Sequence, residues 1–275
     1  MKPAPRTRLR IILGKWYYQY RRYLSWYFGN FKFARTLTEE SFPHLIFSHQ
    51  TPLLRKLKNV DMWLQQNKTM NLSIAAERLN GLVISPEETF SFWRLIGKPT
   101  KRKGYVDGMN LFYGRVVPGI GGGLCQLTNL LYWMTLHTPL TVTERHRHSF
   151  DVFPDSHRSQ PFGSGATCAY NFLDLQVYNN TDHPYQLRIY LSDRDLIGEW
   201  RSTGKTECSY EVYEKEHWIT HEYWGGYVRH NKIHRRIYNE EMIVLKDEYV
   251  TENHAIMMYQ PLLTTPPGVI SDDIK

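Results

Sequence analysis

An α+β domain of mainly antiparallel sheet, carrying one cysteine-bearing helix, is the architecture this sequence predicts, and three observations lead to it. Leu127, Leu130, Leu131 and Met134 recur at i, i+3, i+4 and i+7 behind a glycine run, the spacing of one apolar helix face. Residues 173–178 and 185–190 alternate in character on either side of Asn179-Asn180-Thr181-Asp182, as two strands about a turn do. An apolar fraction of 41 %, rich in aromatics, is enough for a sizeable core in 275 residues.

From the N-terminus, residues 9–35 read as a helix crowded with aromatics, and Ser41-Phe42-Pro43 marks a break. Asn71 to Leu79 keeps helical spacing through Leu72, Ala75, Ala76 and Leu79, and Asn80-Gly81 is a helix stop. Val83-Ile84 leads through Pro86-Glu87 into an apolar strand ending at Phe92-Trp93. Residues 97–114 are loop with a short strand, and Gly114-Arg115-Val116-Val117 closes a hairpin. The next helix runs from about Leu124 to Leu136 and stops at Thr138-Pro139. Leu140 to Glu144 is short and β-branched, hence a strand, and runs on into Arg145-His146-Arg147-His148-Ser149. Residues 154–165 are loop, and 166–170, 173–178 and 185–190 form three strands. Beyond residue 205 short polar-aromatic strands surround Trp224-Gly225-Gly226-Tyr227, and Pro266-Pro267-Gly268 opens a loose tail. This gives a basic aromatic helical extension over 1–69, a central domain over 70–205 and a β-rich extension over 206–275.

The formal charge of +7 is unevenly spread. Lys2, Arg6, Arg8, Arg10, Lys15, Arg21, Arg22, Lys32 and Arg35 stand in the first 35 residues without one acidic side chain. Cations beside Trp and Tyr suit an anionic membrane surface, while an ordinary solvated helix remains the plainer reading. The same cations can touch phosphates, but no nucleic-acid partner is expected. Ile11-Ile12-Leu13-Gly14 is too short for a signal h-region, and no stretch approaches the ~18 apolar residues of a membrane span. The expected location is therefore cytoplasmic, peripheral to the membrane if the basic segment binds it. Three cysteines (Cys125, Cys168, Cys208) without a CxxC spacing argue against a disulfide framework and a zinc ribbon. One reactive thiol with two structural ones fits a reducing compartment.

The chemistry concentrates at Cys125. Gly121-Gly122-Gly123 allow positive φ and close backbone approach just before the helix. A thiol in a first helical turn feels the macrodipole and free N–H groups, which can bring its pKa from about 8.5 to roughly 3.5–7.5. Those N–H groups can serve as an oxyanion hole, with Gln126 as a side-chain donor. The bland reading is a buried cysteine beside glycines that merely permit tight packing. The run lacks the Lys-Ser/Thr of a phosphate loop and fits no dinucleotide fingerprint, so no cofactor is expected. A thiolate nucleophile needs a base, and His148 follows one helix and one strand later, in papain-like order. His146 and His148, at i and i+2, share a face of an extended strand. Either one of them activates Cys125, or both join it around a metal, although no acidic or cysteine partner has a metal-ligand spacing. Asp174 and Glu144 compete to orient the base; an Asp on a half-exposed strand is often simply solvated.

With these residues in view, the sequence resembles the VanW family from Asn80-Gly81 to about residue 190. The resemblance is carried by residues 86–92, Gly104-Tyr105, residues 117–126, Glu144-Arg145-His146-Arg147-His148-Ser149, Ala166-Thr167, Asp174-Leu175 and Asn179-Asn180-Thr181. Residues 91–95 and 136–140 resemble most the short accessory members of glycopeptide-resistance clusters. The resemblance implies an association with peptidoglycan or its precursors. Some exported relatives are linked to L,D-transpeptidation through the motif cysteine, which implies Cys125 as acyl-accepting nucleophile and His148 as its base. Gly121, Gly122, Gly123, Gln126, Arg145 and His146 are then expected to meet the substrate. A thiol enzyme acting on a peptide-bearing precursor or muropeptide is one functional expectation. A non-catalytic protein that binds wall precursors or resistance partners at the membrane face is the other.

Overall fold

Local sequence signals set most element boundaries in the computed structural model, which describes residues 7–55, 60–152 and 160–261. In order these are α1 (Arg8–Phe28), β1 (Lys32–Phe33), β2 (His44–Pro52), α2 (Met62–Leu79), β3 (Leu82–Ile84), β4 (Glu88–Ser91) and α3 (Phe92–Ile96). A 3-10 turn at Lys101–Lys103 precedes β5 (Asp107–Phe112), β6 (Arg115–Ile120), α4 (Cys125–Leu136), β7 (Thr141–Glu144) and β8 (Phe150–Asp151). Then come β9 (Gln176–Tyr178), β10 (Tyr185–Leu191), β11 (Asp195–Ser202), β12 (Ser209–His221), β13 (Tyr227–Tyr238) and β14 (Val244–Met257).

The strands make a mixed α+β molecule of several mainly antiparallel sheets. One has the order β2-β11-β10-β3, a second β1-β4-β9-β7, a third β12-β13-β14-β8, and β5 pairs with β6 as a hairpin. The parallel pairs, β1 with β4 and β14 with β8, join segments distant in sequence. The core lies between α2, α4 and the first two sheets, where Leu72, Leu79, Leu127, Leu130, Leu131 and Trp200 are all completely buried. The apolar face expected of the cysteine helix is thus inward. Tyr132 through Leu136 are buried as well, so α4 runs through the interior rather than along its surface.

Helix α2 buries Leu64, Gln65, Lys68, Asn71, Leu72, Ala75, Ala76 and Leu79, one continuous stripe. It ends where expected: Gly81 has φ +85°, and a Cβ there would lie 2.3 Å from the Thr38 carbonyl oxygen. Its start, nine residues ahead of the Asn71 expected, is hidden in sequence by polar Gln65 and Lys68 on the buried face.

Several expectations are corrected. Helix α1 stops at Phe28 rather than 35, because Phe31 to Phe33 are better used as sheet: Lys32 and Phe33 pair with Glu88 and Thr89. The strand expected through Trp93 turns helical after Ser91, whose hydroxyl accepts from the Arg94 N–H while the Asp174 carboxylate accepts from the Trp93 N–H. Residues 166–170 form no ladder beyond an isolated bridge at Ala169, since the backbone there bonds instead to α4 side chains and to His146. The C-terminal strands are long, not short, at 13, 12 and 14 residues. Residues 44–52, within the expected N-terminal extension, supply the edge strand of the β11 sheet. Pro266-Pro267-Gly268 lies outside the described residues, as does much of the 154–165 loop.

Candidate active site around Cys125

The glycine turn is a packing device before it is anything else. Gly121 and Gly123 have φ of +74° and +95°, a region a side chain rarely adopts. A Cβ on Gly122 would lie 2.2 Å from the Gly108 carbonyl carbon, and one on Gly123 would lie 2.1 Å from Lys68 Cγ. All three glycines are buried, Gly121 against Pro99, Gly122 against β5 and Gly123 against α2. Asn71 fastens the turn, donating from Nδ2 to the Gly122 and Val106 carbonyls and accepting the Val106 N–H.

The N–H groups of Gly121, Gly122, Gln126 and Leu127 go to Val106, Gly119, Gly123 and Leu124 carbonyls. Those of Gly123, Leu124 and Cys125 are the loop donors left over from backbone pairing among the described residues. The Gln126 amide does not face the thiol as a donor: it donates to Thr51 Oγ1 at 3.0 Å and to the Pro52 carbonyl at 2.9 Å.

Cys125, half-buried, is the first residue of α4. Its Sγ lies 3.8 Å from Cys168 Sγ and 3.7 Å from the Cys168 carbonyl oxygen. A hydrogen bond from the Cys168 thiol is the largest influence holding Cys125 well below the ordinary thiol range. Burial opposes it, and His148 adds a weaker hydrogen-bonding contact and its charge. Cys168 moves the other way, well above the thiol range, through burial first and then the neighbouring Cys125 sulfur. The two thiols are thus shifted in opposite directions, Cys125 toward the charged form and Cys168 toward the neutral one.

The structure divides the two histidines. Both lie past the end of β7, off the strand that was expected to carry them. The cause is Arg145, whose guanidinium reaches inward to the Gly163 and Gly165 carbonyls, Thr251 and Asn253, and stacks on Tyr132. Arg145 is therefore spent on holding the loop. His148 turns to Cys125, while His146 Nε2 sits 2.9 Å from Glu144 Oε1.

Glu144 also receives the Arg22 guanidinium from α1 and the Asp174 N–H at 3.1 Å. Burial would raise its pKa, but the His146 and Arg22 contacts prevail and bring it down to about 2. Asp174 is completely buried, with hydrogen bonds to Ser91 Oγ (2.6 Å), the Trp93 and Leu175 N–H groups and Gln176. It buttresses α3, and Glu144 is the carboxylate that meets a histidine. Among the described residues no three His, Cys, Asp or Glu side chains group as metal ligands.

Two participants escape a reading of the sequence. Cys168, read as structural on a strand, is the partner of Cys125. Lys68, buried against Gly123 with Nζ 2.8 Å from Gln65 Oε1, is lowered to about 8 by burial and by Arg55. Extending the Leu72, Ala75, Ala76 and Leu79 spacing back by four would have placed Lys68 on the buried stripe. No spacing pairs residues 125 and 168. A cleft of about 520 Å³ opens nearby, lined by Trp63, Asn67, Tyr105 and Ile120 among others, and Cys125 is not in its wall.

Comparison with known proteins agrees with the ordered motifs. The family model described as "VanW like protein" matches residues 67–201. The chain is 39 % identical over 180 residues to the Vancomycin B-type resistance protein VanW of Enterococcus faecalis, covering 66 % of this chain and 66 % of that protein. It is 29 % identical over 126 residues to the uncharacterized protein YoaR of Bacillus subtilis, covering 45 % of this chain and 39 % of that one. No solved structure matches.

Proposed function

The chain belongs to the VanW family, and we propose that it serves glycopeptide resistance as a cysteine-dependent acyl transferase or amide hydrolase on peptidoglycan-type peptides. The observation that carries this reading is the environment of one sulfur. Cys125 stands at a helix start beside the Cys168 thiol, with the His148 imidazole also acting on it.

In this reading the Cys125 thiolate attacks the peptide carbonyl, and the N–H groups of Leu124 and Cys125 are the nearest candidates to receive the oxyanion. His148 gives its proton to the departing amine, leaving a thioester on Cys125. It then takes a proton from the incoming water or amine that releases the acyl group. Glu144 and His146 act on the loop around His148, not on the sulfur.

The test is incubation of the protein with muropeptides and with cytoplasmic precursors, followed by mass spectrometry. An acyl adduct on Cys125, absent in Cys125→Ala and slower to form in His148→Ala, is the expected result. Intact substrates and no adduct, with precursor binding retained, would favour the second reading: an accessory protein that binds wall precursors. The cleft lined by Trp63, Tyr105 and Ile120, the residue before the glycine turn, is the observation that favours it.

For its location we propose the cytoplasmic face of the membrane, with α1 lying on anionic lipid. No helix among the described residues is long and apolar enough to cross a membrane. Yet α1 exposes Leu9, Leu13, Trp16, Tyr17, Tyr20, Leu24 and Phe28 alongside Arg10, Lys15 and Arg21. Arg22 and Trp26, facing inward, tie the helix to the core, so deleting residues 1–35 would damage the fold. Surface substitutions are the better probe. Trp16→Ala with Leu13→Ala, or Lys15→Glu with Arg21→Glu, should each release the full chain from phosphatidylglycerol vesicles; unchanged sedimentation would sink the idea.

A further inference from the structure

Two thiols that stand 3.8 Å apart have a chemistry of their own, whatever else one of them does. A disulfide needs its sulfurs at about 2.05 Å, so closure requires an approach of about 1.8 Å. The local backbone is suited to that. Cys125 is the first residue of a helix rather than an interior one, and Cys168 lies in an irregular run outside any ladder. Both are half-buried. Cys208, the remaining cysteine, precedes β12 in the C-terminal sheet.

We propose that Cys125 and Cys168 form a reversible, peroxide-sensitive dithiol site, in which Cys125 is oxidised first and Cys168 resolves it into a disulfide. In the first step the Cys125 thiolate attacks one oxygen of hydrogen peroxide. The S–O bond forms, the O–O bond breaks, and hydroxide leaves, with Cys125 oxidised by two electrons to a sulfenic acid. In the second step Cys168 sulfur attacks Cys125 sulfur. The S–S bond forms, the S–O bond breaks, and the departing oxygen takes up the Cys168 proton and leaves as water. In sum two thiols and one peroxide give one disulfide and two waters.

The order follows from the asymmetry of the pair. Cys125 is shifted toward the charged form that makes a thiol reactive, and Cys168 toward the neutral thiol, partly through its neighbour. Once Cys125 becomes a neutral sulfenic acid, the part of the upward shift at Cys168 that comes from the Cys125 sulfur is removed. Oxidation of the first sulfur thereby prepares the second. The site requires no turnover at Cys125, so it stands or falls separately from the proposed acyl chemistry. If Cys125 is the nucleophile, the disulfide silences it reversibly and shields it from irreversible oxidation.

The experiment treats the full-length reduced protein with hydrogen peroxide, alkylates it, and reads intact mass and tryptic peptides. The expected product has lost two hydrogens, links the Cys125 and Cys168 peptides, leaves Cys208 alkylated, and reverts with dithiothreitol. In Cys168→Ala the same treatment should instead add oxygens to Cys125 and not revert; Cys168→Ser serves if the alanine variant does not fold. Oxygen uptake on wild-type Cys125 without a cross-link would overturn the proposal, as would a cross-link that runs to Cys208. The peptide map of the wild type decides the matter even if neither variant is stable.

Discussion

Replacing Gly123 by alanine separates a glycine that packs from a glycine that greets a ligand. At φ +95° a non-glycine residue carries a backbone cost of about 1–3 kcal/mol. The new Cβ would also lie 2.1 Å from Lys68 Cγ and 2.8 Å from its Cβ and Cδ. Those atoms belong to the stem of the lysine, so a swing of its far end relieves nothing. Either the Lys68 rotamer changes, losing the bond from Nζ to Gln65, or α2 and the turn move apart. Overpacking of this kind costs about 1–3 kcal/mol. The sum, about 2–6 kcal/mol, is a large share of the roughly 5–15 kcal/mol that holds a typical domain folded. Urea unfolding followed by tryptophan fluorescence reads it as a midpoint fall of about 1 M or more at a slope near 2 kcal/mol/M. A double-mutant cycle assigns the cause. With Lys68→Ala in place the contacts to Cγ and Cδ are removed while the positive φ and the 2.8 Å contact to Cβ remain, so the pair should be less than additive by at least ~1 kcal/mol. A loss below ~1 kcal/mol in Gly123→Ala, or strict additivity, would refute the packing account and return the glycine to a ligand-facing role.

The rate of Cys125 alkylation against pH should level off below the ordinary thiol range of about 8.5, and Cys168→Ala should move its midpoint up more than His148→Ala does; coincident profiles would contradict the assigned order of influences. Glu144, at about 2 in the folded chain, contributes stability that is complete above its unfolded pKa of about 4.3 and is lost as pH falls toward 2. Denaturant midpoints taken from pH 6 down to 2 should therefore fall more steeply in the wild type than in Glu144→Gln. Lys68 gives a slope of the same sign in a higher window: its folded pKa, about 8, lies below the unfolded value near 10.4, so the unfolded chain holds the extra proton between them. Stability should rise with pH across that window, and Lys68→Met should flatten the rise.

How much of this was legible in the sequence depends on whether the cause was local. The α4 helix, its apolar stripe, the hairpin closed at Gly114 and the stop at Asn80-Gly81 rest on spacing and backbone chemistry within a few residues, and all were readable. The coil at 166–170 was not, because its alternation is that of a strand while its hydrogen bonds go to Thr128, Asn129 and His146. The same limit hid Cys168, which meets Cys125 through a coil that no sequence pattern registers. Asp174, expected on a half-exposed strand as a residue to orient the base, is instead completely buried, and with four donors already on it, it serves α3. Glu144 reaches His146 two residues away, a contact local enough to have been preferred.

The C-terminal sheet changes what the site is made of. Read from sequence, residues 206–275 are an appendage with no stated place. In the fold β14 pairs in parallel with β8, and the Ile256 and Met258 N–H groups bond to the Ser149 and Asp151 carbonyls. Thr251 and Asn253 of β14 hold the Arg145 guanidinium from the same side. The segment bearing His146 and His148 is therefore fixed at one end by β7 and at the other by β8 against the C-terminal sheet, while Arg22 of α1 secures Glu144 beneath it. Cys125 owes its position to the central core, but His148 owes its position to elements from both extensions. The meeting of thiol and imidazole is thus a property of the whole described chain rather than of the matched segment alone. A fragment confined to residues 67–201 would keep the helix and its cysteine and lose the sheet and the helix that position the imidazole.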